Sequence, residues 1–411
     1  QGRGMGCLCR AFCSAGAWLL GLRLLPRALI FRRPRPIWNR GRFSQRWHGA
    51  KSSSMGFEAW RLSRSELQEV LNKYEKAVES DAYYLLYPSQ AERELLGEEL
   101  LKRRASAVKK ARDQNRLLVE TVLADLPDLC AGPDSDAVPE RPVAEIRCLT
   151  EKPALLPSSS YGSMASVFLH LLRDWSAECD HVAATTYRPV VAELRRLLPG
   201  GGEVLLPGAG LGRLALELAT EGFKVEANDA SRLFLTFADY VLNRAPPGGL
   251  RLYPLAHVFS ENWSNEAGQY LEVSVPVAVP PPKCPEGEAR RVVLVPGNFA
   301  ETYRVGMPGH RRFDAIVTCF FIDTSVDIVE LVEVLDGLLG VGGIWINIGP
   351  LNWRKETRLK LSWSEVVEVW KRRGYEFLTQ TSVDCDYHLL RGVKMYTESY
   401  NCAFTVAVKR R

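Results

Sequence analysis

The 411-residue sequence predicts an α/β protein: a Rossmann-like, doubly wound sheet of about seven strands with an added helical N-terminal region. Three observations predict it. Apolar Val204-Leu205-Leu206 runs into Gly208, Gly210 and Gly212, and Leu214, Leu216, Leu218 and Ala219 then open a helix. A second run from Lys224 ends on Asp229, about twenty residues past the first glycine, as the second strand of such a sheet does. Three further apolar runs, Val292–Val295, Phe313–Phe321 and Ile344–Ile348, have the length and composition of strands buried on both faces.

Taken in order, residues 1–57 form a leader with eleven Lys/Arg, no Asp or Glu, and one short apolar patch, Ala15–Leu22. Two readings stand: an organelle transit peptide, directing the chain to mitochondrion or plastid, or translated sequence upstream of a start at Met55. Residues 58–200 read as the helical region. Leu67, Val70, Leu71 and Tyr74 share one helical face, and Leu117, Leu118, Val122 and Leu123 share another. Five prolines between Ala131 and Ser160 predict a loop, and two helices follow between Met164 and Leu198. Within them, Leu172–Ser176 reads on its own as a surface ion pair beside a half-buried tryptophan.

Residues 201–411 form the sheet domain. Its glycine turn lets backbone approach a ligand and points amide donors at it. A dinucleotide fingerprint needs its third glycine where Arg213 stands, so NAD is disfavoured and S-adenosylmethionine, which has no pyrophosphate, is favoured. Asp229 is placed to accept hydrogen bonds from ribose hydroxyls; the competing role, capping the next helix, can be taken by Ser231. Prolines at 276, 280, 281, 282 and 285 mark an insert around 264–290. After Val292–Val295 come Asn298, whose amide suits an adenine amino group, and Phe299, which suits its ring. Asp323 follows the fourth strand, where it is placed either to meet a substrate or to cap a helix over Val326–Leu339. That helix is expected to stop on a glycine cap at Gly340–Gly343 and run into the strand Ile344–Ile348. A hydrophilic helix over Thr357–Arg373 and a last strand over Ala403–Val408 complete the chain.

The net charge of +5 conceals an asymmetry: with eleven of 53 basic residues in the leader, 42 remain against 48 acids. A body near −6 disfavours non-specific nucleic-acid binding. Ten cysteines without metal-ligand spacing suit a reduced compartment and predict no metal, and no apolar run of eighteen residues predicts a membrane span.

The motifs Pro207–Ala215, Asn228-Asp229, Gly297-Asn298-Phe299, Thr318–Thr324 (TCFFIDT) and Gly342–Leu351 (GGIWINIGPL) together resemble the carnosine N-methyltransferase family. The likeness runs over roughly residues 58–411. It implies a class I methyltransferase sheet, homodimers in cytoplasm and nucleus, and methyl transfer from S-adenosylmethionine to an imidazole nitrogen of carnosine, giving anserine. It also implies roles. Arg173 would contact the methionine carboxylate of the cofactor, Gly208 and Gly210 its backbone, Asp229 its ribose, Asn298 and Phe299 its adenine, and Cys319 would lie beside it. Asp323 and Tyr400 would hold the dipeptide and serve the transfer.

Four positions depart from the family pattern. His170 stands for a glutamine near the cofactor, Asp229 for a glutamate and Asn298 for an aspartate. Arg354 or a neighbour stands at the place of a substrate-contacting histidine, and a guanidinium suits a carboxylate better than an imidazole. Competing readings are therefore a methyltransferase for another small imidazole or amine or for a protein histidine, and a cofactor-binding protein without catalysis.

Overall fold

A computed structural model of the protein describes residues 61–125, 143–149, 163–278, 292–387 and 393–411. The leader and the proline-rich stretch 279–291 lie outside the described residues.

The helical region holds α1 (Arg64–Asp81), α2 (Tyr83–Leu86), α3 (Gln90–Leu96) and α4 (Glu98–Ala124). Ser63 and Glu66 start α1 as a reciprocal capping box, satisfying two of its orphan amides. Helix α1 buries Leu67, Val70, Leu71, Tyr74 and Val78, the expected face. Helix α4 buries Leu118 and Val122, but Leu117 is 54% exposed. The α4 stripe runs instead through Val108, Ala111, Asn115 and Val119. Asn115, fully buried, donates to the Tyr74 hydroxyl and the Tyr253 carbonyl, both at 3.0 Å, and accepts from the Tyr253 amide at 2.8 Å. One buried amide side chain thus joins the two long helices to the rest of the chain, with its hydrogen-bonding groups satisfied.

The remaining elements are β1 (Ala144–Ile146), α5 (Met164–Trp175), α6 (Asp180–Leu197), β2 (Glu203–Pro207), α7 (Arg213–Thr220), β3 (Lys224–Asp229), α8 (Arg232–Asn243), β4 (Leu250–Leu252), β5 (Val273–Val275), β6 (Val292–Pro296), α9 (Phe299–Tyr303), β7 (Phe313–Cys319), α10 (Ile328–Gly337), β8 (Leu339–Gly349), α11 (Trp363–Arg372), β9 (Tyr375–Asp386) and β10 (Ser399–Lys409). The main sheet has the order β1-β6-β3-β2-β7-β8-β10-β9, parallel from β1 to β8, with β10 antiparallel to both its neighbours.

Both faces of the sheet are covered. Val204, Leu206, Ala315, Val317, Ile344 and Ile346 pack into one core, shared with α1, α4 and α5. The alternate residues Leu205, Ile316 and Trp345 pack into the other, with α10 and α11. That alternation explains why these strands read as continuous apolar runs. Trp345 stacks on Trp370 of α11 with ring centroids 4.3 Å apart, which seats the last helix.

Four expectations are corrected. The proline-rich stretch expected as loop contains β1, which pairs in parallel with β6 and makes the sheet eight strands wide. The insert around 264–290 contains β5, paired antiparallel with β4, and a short helical turn at Asn265–Gln269. The expected helix over Thr357–Arg373 begins only at Trp363, with Ser362 and Glu365 as its capping box. Gly340–Gly343 are not a helix cap but the opening of β8. The carbonyls at the end of α10 are met by side chains, Arg312 on Gly337 at 2.7 Å and Lys409 on Asp336 at 3.0 Å, so no left-handed glycine is needed there.

Chain order reverses at β2, which lies between β3 and β7. A crevice therefore opens outside the carboxyl ends of these strands, where open α/β sheets bind ligands. Among the described residues no helix is long and apolar enough to cross a membrane.

Candidate functional site

The crevice holds a cavity of about 490 Å³. It is lined by the glycine turn after β2, the tips of β3, β6 and β7, α5 and α6, and the end of β9.

The glycine turn is glycine for steric reasons. Gly208, Gly210 and Gly212 have φ of 68°, 56° and 78°, in the left-handed region that side chains avoid. A Cβ on Gly208 would lie 2.5 Å from the Phe321 ring, and one on Gly212 2.8 Å from Leu242. Asp229, at the tip of β3, accepts the Gly210 amide at 2.9 Å on one oxygen and the Ser231 amide at 2.8 Å on the other. Ser231 caps α8, so Asp229 is not the cap of that helix. Burial pushes the Asp229 carboxyl up to about 6, with the backbone amides of Ser231, Gly210 and Ala230 pulling the other way.

Helix α5 supplies one wall. Its amphipathic pattern buries Trp175, whose indole donates to the Leu211 carbonyl at 3.2 Å and fastens the helix to the glycine turn. Arg173 is not a surface residue: it pairs bidentately with Asp174 at 2.6 and 3.1 Å, both largely buried. The Tyr187 hydroxyl donates to the same carboxylate at 2.7 Å, and the Arg173 guanidinium lies 5.0 Å from the centre of the Tyr387 ring. Burial opposes the Asp174 charge, but Arg173 and the Tyr187 hydroxyl outweigh it and hold the carboxyl below its usual range. His170 is buried, with Nδ1 2.8 Å from the Ser166 carbonyl. A carbonyl only accepts, so Nδ1 carries the proton. Burial first, then Arg173, lowers this ring to about 4 and keeps it neutral.

Across the cavity, Asn298 caps α9, accepting the Glu301 amide at 3.3 Å, and Phe299 lies edge-on to Phe321 at 5.6 Å. Cys319 lines the floor, its thiol pushed up to about 12 by burial. Phe320 beside it has φ of 50°, a backbone strain a non-glycine residue seldom bears. Its amide donates to the Ile348 carbonyl at 2.8 Å and its ring lies 5.0 Å from Tyr387, which hold it there.

The cavity thus gathers His170, Arg173, Gly208, Gly210, Asp229, Asn298, Phe299, Cys319 and Arg354. Asp323 and Tyr400, expected to hold the dipeptide, are not among the residues lining it, although Phe321, Thr324 and Tyr387 beside them are. The ring of Tyr400 lies behind two that do, 6.1 Å from Phe320 and 5.7 Å from Tyr387, and its hydroxyl donates to Glu398 at 2.9 Å. Asp323, only 7% exposed, sits in the helical turn Ile322–Thr324. Asp327, not Asp323, caps α10, accepting the Val329 and Glu330 amides. Asp323 instead accepts the Asn352 amide at 2.9 Å, and burial raises its carboxyl to about 6 against the pull of that amide and of Arg354.

Sequence reasoning missed Tyr187, Asp386 and Tyr387. Asp386 ends β9 and Tyr387 follows it; that strand was not foreseen, although Tyr375, Phe377, Thr379, Thr381, Val383 and Cys385 alternate with period two and carry a strand signal. Asp386 is buried and lies 3.8 Å from His181 Nε2. Among the described residues no group of His, Cys, Asp or Glu is gathered that could hold a metal ion.

A seven-strand core with one reversed strand inserted near its edge, a glycine turn after β2 and an acid after β3 make this a class I methyltransferase fold. A model of the carnosine N-methyltransferase family matches residues 153–411, and the chain belongs to that family. It is 32% identical over 246 residues to the carnosine N-methyltransferase of Schizosaccharomyces pombe (54% of this chain, 65% of that one). It is 30% identical over 269 residues to that of Rattus norvegicus (62% of this chain, 65% of that one). The matches span just under two thirds of these relatives' own length. Among solved structures, a magnesium protoporphyrin IX methyltransferase from Synechocystis PCC 6803 with bound SAM superposes at a TM-score of 0.36 and 11% identity, over 61% of this chain and 93% of that one.

Proposed function

We propose that the protein is an S-adenosylmethionine-dependent N-methyltransferase that methylates an imidazole nitrogen of carnosine to give anserine. Family membership supports the class, and one observation carries the site: the glycine turn, the Asp229 carboxylate and the Arg173 guanidinium all face one cavity.

These residues fit the cofactor. Space that a Cβ would fill at Gly210 is open, Asp229 retains lone pairs for ribose hydroxyls, and Arg173 has a guanidinium nitrogen beyond the two bound to Asp174 for a carboxylate. Asn298 and Phe299 would meet the adenine. When bound, S-adenosylmethionine supplies an electrophilic methyl on a sulfonium. The protein's part is to hold acceptor and methyl in line and to exclude water. The Phe320, Phe321 and Tyr387 rings supply apolar wall for that purpose. A neutral imidazole, with a pKa of about 6.5, is already nucleophilic near pH 7, so no strong base is required. Asp323, ionised above about 6, does not line the cavity, and to accept the other ring N–H or face the dipeptide ammonium its turn, Ile322–Thr324, must bring the carboxylate toward the acceptor.

The test is calorimetry of the full-length chain with S-adenosylmethionine, followed in the same sample by mass detection of methyl transfer to carnosine. Binding with a gain of one methyl group on carnosine is expected. Binding without transfer to any imidazole overturns the catalytic reading, and absence of binding overturns the cofactor site.

A further inference from the structure

Helix α9 has five residues, too few to hold a helix by themselves, and Phe299, assigned to the adenine, is the first of them. The last, Tyr303, is where the helix is fastened. It is fully buried, and its hydroxyl donates to the Glu226 carboxylate of β3 at 2.7 Å. Burial, then Glu226, hold that phenol well above its usual range, so it stays a donor. The ring lies 5.2 Å from Phe299 and 6.4 Å from Phe313 of β7. The chain returns past it so closely that a Cβ on Gly309 would lie 2.9 Å from the ring, and His310 Nδ1 lies 3.1 Å from the Tyr303 carbonyl. Glu226 is itself buried and receives Arg311 on its other oxygen at 3.0 Å. A buried ion pair adds little stability over apolar packing of the same volume. What this one supplies is a fixed place for one hydroxyl.

We propose that Glu226 and Tyr303 are positioning residues for the cofactor: they hold the Tyr303 ring against Phe299 and so fix the Phe299 ring where the adenine packs. This rests on the cofactor reading above. Strand β3 then serves both parts of the adenosine, directly through Asp229 at the ribose and through Glu226 and Tyr303 at the base. Phe299 lines the cavity, with Phe321 edge-on at 5.6 Å and the Tyr303 ring tilted to it by 33°. A packing surface that has to be ordered on binding costs affinity. Loosening the anchor therefore weakens the cofactor and leaves the acceptor untouched.

The experiment uses the full-length chain and two adenine-bearing probes, S-adenosylhomocysteine and 5′-methylthioadenosine, which lacks the amino-acid end. Calorimetry gives their Kd, and methyl transfer to carnosine gives KM and kcat. Tyr303→Phe is expected to weaken both probes by the same factor, about three- to tenfold, with a matching rise in the KM for S-adenosylmethionine and little change in kcat or in the carnosine KM. Glu226→Ala is expected to do the same, and the double variant to lose no more than either single one. Glu226→Gln, whose amide oxygen still accepts the hydroxyl, is expected to restore most of the affinity. Variants that unfold at lower temperature yet bind both probes as the wild type does make the pair structural and overturn the proposal. A loss confined to S-adenosylhomocysteine overturns it too, since that places the effect at the amino-acid end. Equal losses on both probes in a protein that transfers no methyl uphold the positioning role while overturning the proposed reaction. A wild type that binds neither probe overturns the cofactor reading and the positioning role with it.

Discussion

The Asp229 carboxylate accepts the backbone amide of Gly210 at 2.9 Å, joining the acid that ends β3 to the glycine turn that follows β2. The two features legible as separate cofactor signals are one structure. Burial raises this carboxyl to about 6. Cofactor affinity is therefore expected to strengthen as pH rises through about 6, when the carboxylate becomes a full acceptor for ribose hydroxyls. Stability runs the other way. A carboxyl raised in the fold contributes stability that is complete below its unfolded value and is lost as pH rises through about 6. Calorimetric titration with S-adenosylmethionine across this range reads the first effect, and thermal unfolding of the ligand-free protein reads the second. Asp229→Asn should weaken cofactor binding about tenfold and flatten its pH dependence, since an amide cannot accept from both Gly210 and Ser231.

Gly208→Ala places a methyl in the Phe321 ring on a backbone with φ of 68°. It should lower stability by about 1–3 kcal/mol and weaken cofactor binding, because either the turn or the ring must move. Denaturant unfolding and calorimetry on the same variant check both. Unchanged values would show that the ring yields freely.

The Arg173–Asp174 pair is shut from solvent on all but a small edge, and the Tyr187 hydroxyl completes it. Asp174→Ala leaves a buried guanidinium without its partner and should cost about 3–5 kcal/mol, whereas Tyr187→Phe removes one hydrogen bond to a charged group and should cost about 1.5–3 kcal/mol. Chemical denaturation separates the two, and the order of the losses is the test.

Asp323 and Asp327 are four residues apart and have different work. Asp327→Ala removes the cap of α10 and should lower stability by about 1 kcal/mol. Asp323→Ala should abolish turnover while cofactor binding survives. Methyl transfer and calorimetry on both variants decide it: loss of cofactor binding together with turnover in Asp323→Ala would make that residue structural.

Much of the site was legible because it obeys local rules. The glycine turn, Asp229 and the strands ending at Pro296 and Cys319 follow from period and spacing, and Ser231 was correctly available as the α8 cap. Arg173 was not legible on spacing, since an Arg-Asp pair next to a tryptophan looks the same on a surface as in a core; Tyr187 from α6 and Tyr387, just past β9, are brought against it by the fold. The glycines of 340–343 were misread as a stop because the groups that satisfy the α10 carbonyls, Arg312 and Lys409, lie far off in sequence.

By itself the sequence determined the class of sheet, its order of strand, glycine turn and helix, the family, and many of the residues that line the cavity. These depend on backbone conformation and on periodicity, which neighbouring residues set. Tertiary structure alone decided which acids line the cavity, that β1 and β9 widen the sheet, and that Arg354 stands on a turn near Asp323. Those outcomes depend on pairings between residues tens to hundreds of positions apart, and no local pattern encodes which distant group will satisfy a buried charge or an open strand edge.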